Sequence, residues 1–418
     1  MSEKDSSEGE KFSTRIINQR FNKKDIHGAI RMPVYRNAAF EFSDSESIAA
    51  AFQYKEEIAS HTYSRITNPT VENLEQKIQA ASGADNVMLL ASGMAAISNT
   101  FMALAYAGSN IVASPHLFGN TFSFLKFTLA DFGVEVRFVD TNNMEEVTSA
   151  IDSNTCAFFC ELITNPHMEI ADLQVISQIA HQRHVPVIVD TTVVPWCGFD
   201  ARKWGVDIEV VSTTKYISGG ATGIGGAILD YGTFNWSYNK RLSKTPYTDS
   251  ISQFAFKLKR EIMRNLGACM DPDTASMQAL GMETLQLRFE KMADSAYRLA
   301  QFLEGVPDVK KVNYPKLENS PYKKISDKFF NGNPGAMLTF NLESREDCFR
   351  FMDKLQIIRR ATNLFDNKSL IIHPESTIYG TFSSDMKQFM GIEDTLLRLS
   401  VGLEDVVDLQ KDILQALN

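Results

Sequence analysis

A chain of 418 residues, 44% hydrophobic and 22% charged, is long enough for two domains, each with its own buried core. Its net charge of -9 argues against a nucleic-acid or anionic-membrane surface, because neutralising phosphates needs concentrated Lys and Arg. Small-molecule chemistry is the expectation that remains.

The chain opens on a polar tail of about a dozen residues. MSEKDSSEGEKFSTR lacks the apolar core of a signal peptide, and no run approaches the ~18 apolar residues of a membrane span, so a cytoplasmic protein is expected. From about residue 70, helix-like and strand-like segments alternate. VENLEQKIQAASG (71–83) reads as a helix, VEVRFVD (134–140) and AFFCELI (157–163) as strands, VISQIAHQRH (175–184) as a helix, and VPVIVD (185–190) and IEVVS (208–212) as strands. That order predicts the α/β class, with a mostly parallel sheet flanked by helices. Past about residue 266 one long amphipathic helix over 277–306, two strands and a final helical pair predict a smaller α+β domain. The five cysteines, Cys156, Cys160, Cys197, Cys269 and Cys348, contain no C-x-x-C pair, so neither a disulfide framework nor a zinc site is expected. His181 and His184 lie three apart on a helix without a third ligand spaced to join them, which predicts an exposed face rather than a metal centre.

Ligands in such sheets bind at the carboxyl ends of the strands. VPVIVD stops at Asp190, and IEVVS runs into STTKYISGG, which carries Lys215 between hydroxyl residues and an aromatic. A strand-ending aspartate also serves as a simple cap, but a lysine one strand along changes its meaning. A lysine acting as covalent carrier must lose its proton, which partial desolvation and nearby positive charge promote. Pyridoxal phosphate chemistry needs such a lysine, and an acid for the pyridinium nitrogen that keeps the ring an electron sink. The phosphate needs donors. Ser212 and Thr214 offer hydroxyls, and Gly93 and Met94, in LLASGMAAISNTFMAL, open a helix whose N–H groups suit an anion.

ASGMAAI, the T-N-P of LITNP, VDTT, STTKY and RLSVGLED, in this order from about residue 12 to 418, resemble the Cys/Met-metabolism (trans-sulfuration) group of fold-type-I pyridoxal phosphate enzymes. The resemblance implies an aspartate aminotransferase-like fold, with an N-terminal tail and arm (1–66) reaching a neighbouring subunit, a cofactor-binding domain (67–266) and a C-terminal domain (267–418). It implies that Lys215 carries the cofactor as a Schiff base and then shuttles protons. Asp190 would hold the pyridinium proton and Asn165 would bond the ring hydroxyl. Gly93, Met94, Ser212 and Thr214 would bind phosphate, joined by Tyr63 and Arg65 of TYSRITNPT from a neighbouring subunit. Arg398 would clamp the substrate α-carboxylate bidentately. A homo-oligomer follows, a tetramer built from two dimers with shared active sites.

Within the group, the run after Lys215 and the stretch NLFDNKSLIIHPEST, with Asn363, Asp366 and Lys368, look closest to the O-acetylhomoserine sulfhydrylases. Asn363 is therefore a candidate substrate-binding residue. Three departures stand out: Phe118 replaces the tyrosine that stacks on the ring, and Gly220 and Tyr379 stand where histidines are common. Stacking survives the loss of the phenol. The expected reaction is γ-replacement of O-acetyl-L-homoserine with sulfide or a small thiol, giving homocysteine or methionine. The alternatives are a methionine or cystathionine γ-lyase, a cystathionine γ-synthase, and a non-catalytic cofactor-binding relative.

Overall fold

The computed structural model describes residues 10–21, 26–53, 61–245 and 249–418, so the start of the polar tail lies outside the described residues. Seven strands, β1 (Asn86–Leu90), β2 (Asn110–Ala113), β3 (Glu135–Phe138), β4 (Thr155–Glu161), β5 (Val187–Asp190), β6 (Ile208–Val211) and β7 (Gly226–Asp230), form one sheet in the order β1-β7-β6-β5-β4-β2-β3. Only β7 runs against its neighbours β1 and β6. The carboxyl ends of the other six strands therefore share one edge.

Helices cover both faces of this sheet, and each strand alternates between two cores. Phe158, Cys160, Val187 and Val189 face one, while Ala157, Phe159, Ile188 and Val210 face the other. A strand buried on both faces needs an apolar residue at every position, which is why AFFC and VIV read as unbroken apolar runs. Periodicity does not single out β1, β2 and β7 for the same reason. NVMLL in particular runs on toward the apolar helix Gly93–Leu104 with only Ala91 and Ser92 between.

The second sheet contains β8 (Lys311–Asn313), β9 (Met337–Asn341), β10 (Arg359–Arg360), β11 (Leu370–Ile372) and β12 (Leu396–Ser400), ordered β10-β11-β12-β9-β8. Five strands stand where two were expected, because three of them are too short for an alternation pattern to show. The helices expected as a final pair, Ser384–Phe389 and Val406–Leu417, are separated by β12.

The long helix expected over 277–306 is two helices, Pro272–Glu283 and Leu285–Glu304, meeting at Thr284. The Thr284 hydroxyl donates to the Gly281 carbonyl (3.4 Å) and accepts from Arg288 Nε (3.1 Å), competing with the helical ladder. Gly281 also seats the first helix on the turn that follows Lys215, since a Cβ there would lie 2.3 Å from the Ile217 carbonyl oxygen. Gly281→Ala is expected to cost about 1–3 kcal/mol by overpacking a backbone-to-backbone contact. Chemical denaturation against wild type checks this.

Candidate active site

Asp190 ends β5, in register with Glu161 at the end of β4. Its Oδ1 accepts the Thr192 N–H (3.0 Å) and the Thr192 hydroxyl (2.6 Å). Burial raises its pKa, against these bonds and the charge of Lys215. One strand along, β6 leads through Ser212, Thr213 and Thr214 to Lys215, where the short turn Tyr216–Ser218 begins. The Lys215 Nζ donates to Asn363 Oδ1 at 2.6 Å. Burial first, then the charge of Arg398, push the Lys215 pKa down to about 8, while Asp190 and Asp366 oppose the shift.

Arg398 comes from the second sheet, at the centre of β12, and is 2% exposed. Its Nη1 donates to Asn165 Oδ1 (3.2 Å), its Nη2 lies 3.3 and 3.5 Å from the carbonyls of Thr362 and Asn363, and its Nε has no partner. No carboxylate among the described residues pairs with it, and burial pushes its pKa down to about 10. A buried cation bonded only to neutral oxygens is costly, and a bidentate carboxylate is the anion its geometry suits. Because Asn165 spends its side-chain oxygen on Arg398, its NH2 is left as the donor.

The helix Gly93–Leu104 starts beside β6. Ser92 caps it by accepting the Ala95 N–H, whereas the N–H groups of Gly93 and Met94 have no intrahelical acceptor. A Cβ on Gly93 would lie 2.8 Å from the Ser212 Cβ, so only glycine lets the helix start rest on Ser212. Gly93, Met94 and Ser212 thus converge as an anion cradle. Thr214 is placed differently: its hydroxyl accepts the Gly225 N–H (3.0 Å) and bonds the Gly225 carbonyl (3.2 Å), pinning the glycine-rich stretch before β7. Tyr63 and Arg65 are exposed, with the Arg65 guanidinium 5.4 Å from the Tyr63 ring and bonded to the Arg264 carbonyl.

Two of the three departures have structural partners that sequence reasoning missed. Gly220 has φ +136°, and a Cβ there would lie 2.7 Å from Nδ2 of Asn367, which donates to the Gly219 carbonyl (2.9 Å). A histidine at 220 would displace Asn367. Tyr379 is fully buried, its hydroxyl 3.0 Å from the Leu117 carbonyl and 3.1 Å from that of Asn165. Glu161 was also missed. Its signal was a carboxylate closing the apolar run AFFCE.

A near-neutral lysine and a buried carboxylate at adjacent strand ends, an anion cradle and an unpaired arginine fit pyridoxal phosphate and an amino-acid substrate, and define a pyridoxal phosphate enzyme of α/β type. The family model described as "Cys/Met metabolism PLP-dependent enzyme" matches residues 13–418, and the chain belongs to that family. It is 35% identical over 422 residues to O-acetyl-L-homoserine sulfhydrylase 1 of Thermus thermophilus, covering 97% of this chain and all of that one. A solved structure from Campylobacter jejuni, described as an O-acetylhomoserine (thiol)-lyase with N'-pyridoxyl-lysine-5'-monophosphate, superposes with a TM-score of 0.91 at 33% identity, covering 98% of this chain and 100% of that one. The O-acetylhomoserine sulfhydrylase of Wolinella succinogenes gives 0.75 at 42% identity, covering 84% and 98%. The fold is thus the aspartate aminotransferase-like one, and the protein is a PLP-dependent enzyme.

Because the Lys215 amine is neutral only above its lowered pKa, the apoprotein's uptake of pyridoxal phosphate at Lys215 is expected to rise with pH through a midpoint near 8. Arg398→Ala removes a like charge and should move that midpoint upward. Borohydride trapping at a series of pH values, with peptide mapping, measures both.

Proposed function

We propose that the enzyme converts O-acetyl-L-homoserine and sulfide, or a small thiol, to L-homocysteine or L-methionine, with Lys215 and Asp190 as its catalytic residues. Bound pyridoxal phosphate supplies an electron sink that stabilises negative charge at the substrate Cα. Asp190 would meet the ring nitrogen, Asn165 the ring hydroxyl, and Gly93, Met94 and Ser212 the phosphate, with Thr214 behind them. Arg398 takes the α-carboxylate. Lys215 would hold the cofactor and, with its amine free, would take protons from the substrate Cα and Cβ and return them, helped by a pKa near the working pH. Asn363, which touches both Lys215 and Arg398, sets the distance between proton carrier and carboxylate clamp.

The residue that favours an O-acyl ester over a thioether substrate is Phe118, which would offer the ring an apolar face and no proton. General acid assistance is typically worth about 10²- to 10⁴-fold where a leaving group needs it. Acetate leaves without it, whereas the thiolates of methionine and cystathionine do not. O-Acetylhomoserine with sulfide is therefore expected to be much the best substrate pair of the wild type. Phe118→Tyr should gain mainly on thioethers. Efficient release of 2-oxobutanoate from methionine by wild type, with little homocysteine from the ester, would favour the γ-lyase instead.

Assembly belongs to the same reading. The exposed Tyr63 and Arg65, on an N-terminal segment that also exposes Ile26 and Ile30, serve the phosphate of a second copy in a cytoplasmic homotetramer built from two dimers. The division at about residues 66 and 266 is part of it. Among the described residues no helix is long and apolar enough to cross a membrane. Mixing Arg65→Ala and Lys215→Ala subunits is expected to restore activity through hybrid sites. Hybrids shown to form but lacking activity would count against a shared site.

A further inference from the structure

Two side chains outside the cofactor-contacting set bridge the same two backbone segments from opposite directions. Glu161 accepts the Phe118 N–H on Oε1 (2.5 Å) and the Asn165 N–H on Oε2 (3.1 Å). The Tyr379 hydroxyl lies 3.0 Å from the Leu117 carbonyl and 3.1 Å from the Asn165 carbonyl. One side chain gathers N–H groups and the other C=O groups, across the loops that follow β2 and β4. Both are buried, Glu161 at 6% and Tyr379 at 0% exposure. Gly119 closes the arrangement: a Cβ there would lie 2.8 Å from the Ile378 carbonyl, so the chain beside Tyr379 packs directly on the chain beside Phe118.

We infer that Glu161 and Tyr379 act as a paired clamp, positioning residues that set the gap between Phe118 and Asn165. This rests on the proposed function, in which Phe118 covers the cofactor ring and Asn165 meets its edge. Asn165 also holds Arg398, so the clamp sets the substrate carboxylate's place as well. Burial keeps the Tyr379 proton on its oxygen, so the single O–H is shared between the two carbonyls. Burial and Asp190 push the Glu161 pKa up to about 8, while its two N–H partners pull it down. A clamp made through backbone groups does not depend on the side chain at 118. That explains how phenylalanine serves there without a phenol to anchor it.

The test compares wild type, Glu161→Gln, Tyr379→Phe and the double variant, each loaded with pyridoxal 5'-phosphate. Each single variant is expected to weaken cofactor binding by about five- to tenfold, as loss of one hydrogen bond does. The KM for the amino-acid substrate should rise with it, while the thermal midpoint of the cofactor-free protein changes little. The double variant should fall short of the product of the two singles, because either loss already frees the gap. Singles with wild-type affinity and KM, or strictly multiplicative losses, overturn the clamp. If a variant fails to fold, hydrogen exchange of wild type decides: slow Phe118 and Asn165 amides support the clamp, fast ones overturn it. Borohydride labelling of the same samples separates this inference from the reading beneath it. An unlabelled Lys215 in wild type sinks the cofactor assignment, whereas wild-type labelling with unaltered variants sinks only the clamp.

Discussion

The site depends on loosening one amine's hold on its proton beside a guanidinium that keeps its own. Two like charges in a crevice of low polarity repel strongly, and the weaker base yields first. Burial first, and then the charge of Arg398, brings Lys215 down to about 8, while Arg398, which burial depresses to about 10, stays charged at neutral pH. The loop at 362–363 mediates between them: the Asn363 side chain accepts from Lys215, and the carbonyls of Thr362 and Asn363 face Arg398. Among the described residues no carboxylate makes direct contact with either cation. The arrangement is thus suited to a ligand that brings its own anions, which an amino acid and a phosphorylated cofactor both do.

The two cations belong to different sheets, so their spacing is only as firm as the packing between β6 and β12. Tyr216 supplies much of that packing. Its ring stacks on Phe365 (4.3 Å between centroids, 11°), meets Phe289 edge-on (5.5 Å, 81°), and its hydroxyl accepts the Ala336 N–H (3.0 Å). Phe365 pays for its place with φ +54°, a left-handed conformation that costs a side-chain-bearing residue about 1–2 kcal/mol. Aromatic stacking, worth about 0.5–1.5 kcal/mol beyond burial, and a 2.7 Å bond from the Phe365 N–H to the Ser400 hydroxyl offset that strain. That stack and that bond hold the loop in the conformation that brings Asn363 to Lys215.

Sequence reading finds what lies at strand ends, because a buried parallel strand announces itself as an apolar run and its last polar residue as a candidate. Asp190, Lys215 and the helix start at Gly93 were legible in that way. Arg398 was legible only through the family resemblance, since a single arginine inside LLRLS carries no local sign of burial. Glu161 and Tyr379 were not read as functional because their partners are main-chain groups 43 and 262 residues away. Backbone partners leave no residue-type pattern. The break at Thr284 was hidden for a similar reason: the bonds of the Thr284 hydroxyl to the Gly281 carbonyl and to Arg288 Nε, which compete with the helical ladder, leave no pattern in residue type.

The three departures from the family pattern bear on whether the chain is a decayed relative or a working variant. Decay removes contacts and leaves cavities or unpaired groups. Here Gly220 makes room for Asn367, which bonds the neighbouring Gly219 carbonyl, and Tyr379 fills its position completely and reaches two carbonyls. Phe118 is held by its backbone rather than by a phenol. Each altered residue thus has a compensating neighbour, while the lysine, the aspartate and the arginine on which the chemistry depends stand together. Residues that change while their neighbours keep contact argue for a site still in use, not for one released from catalysis.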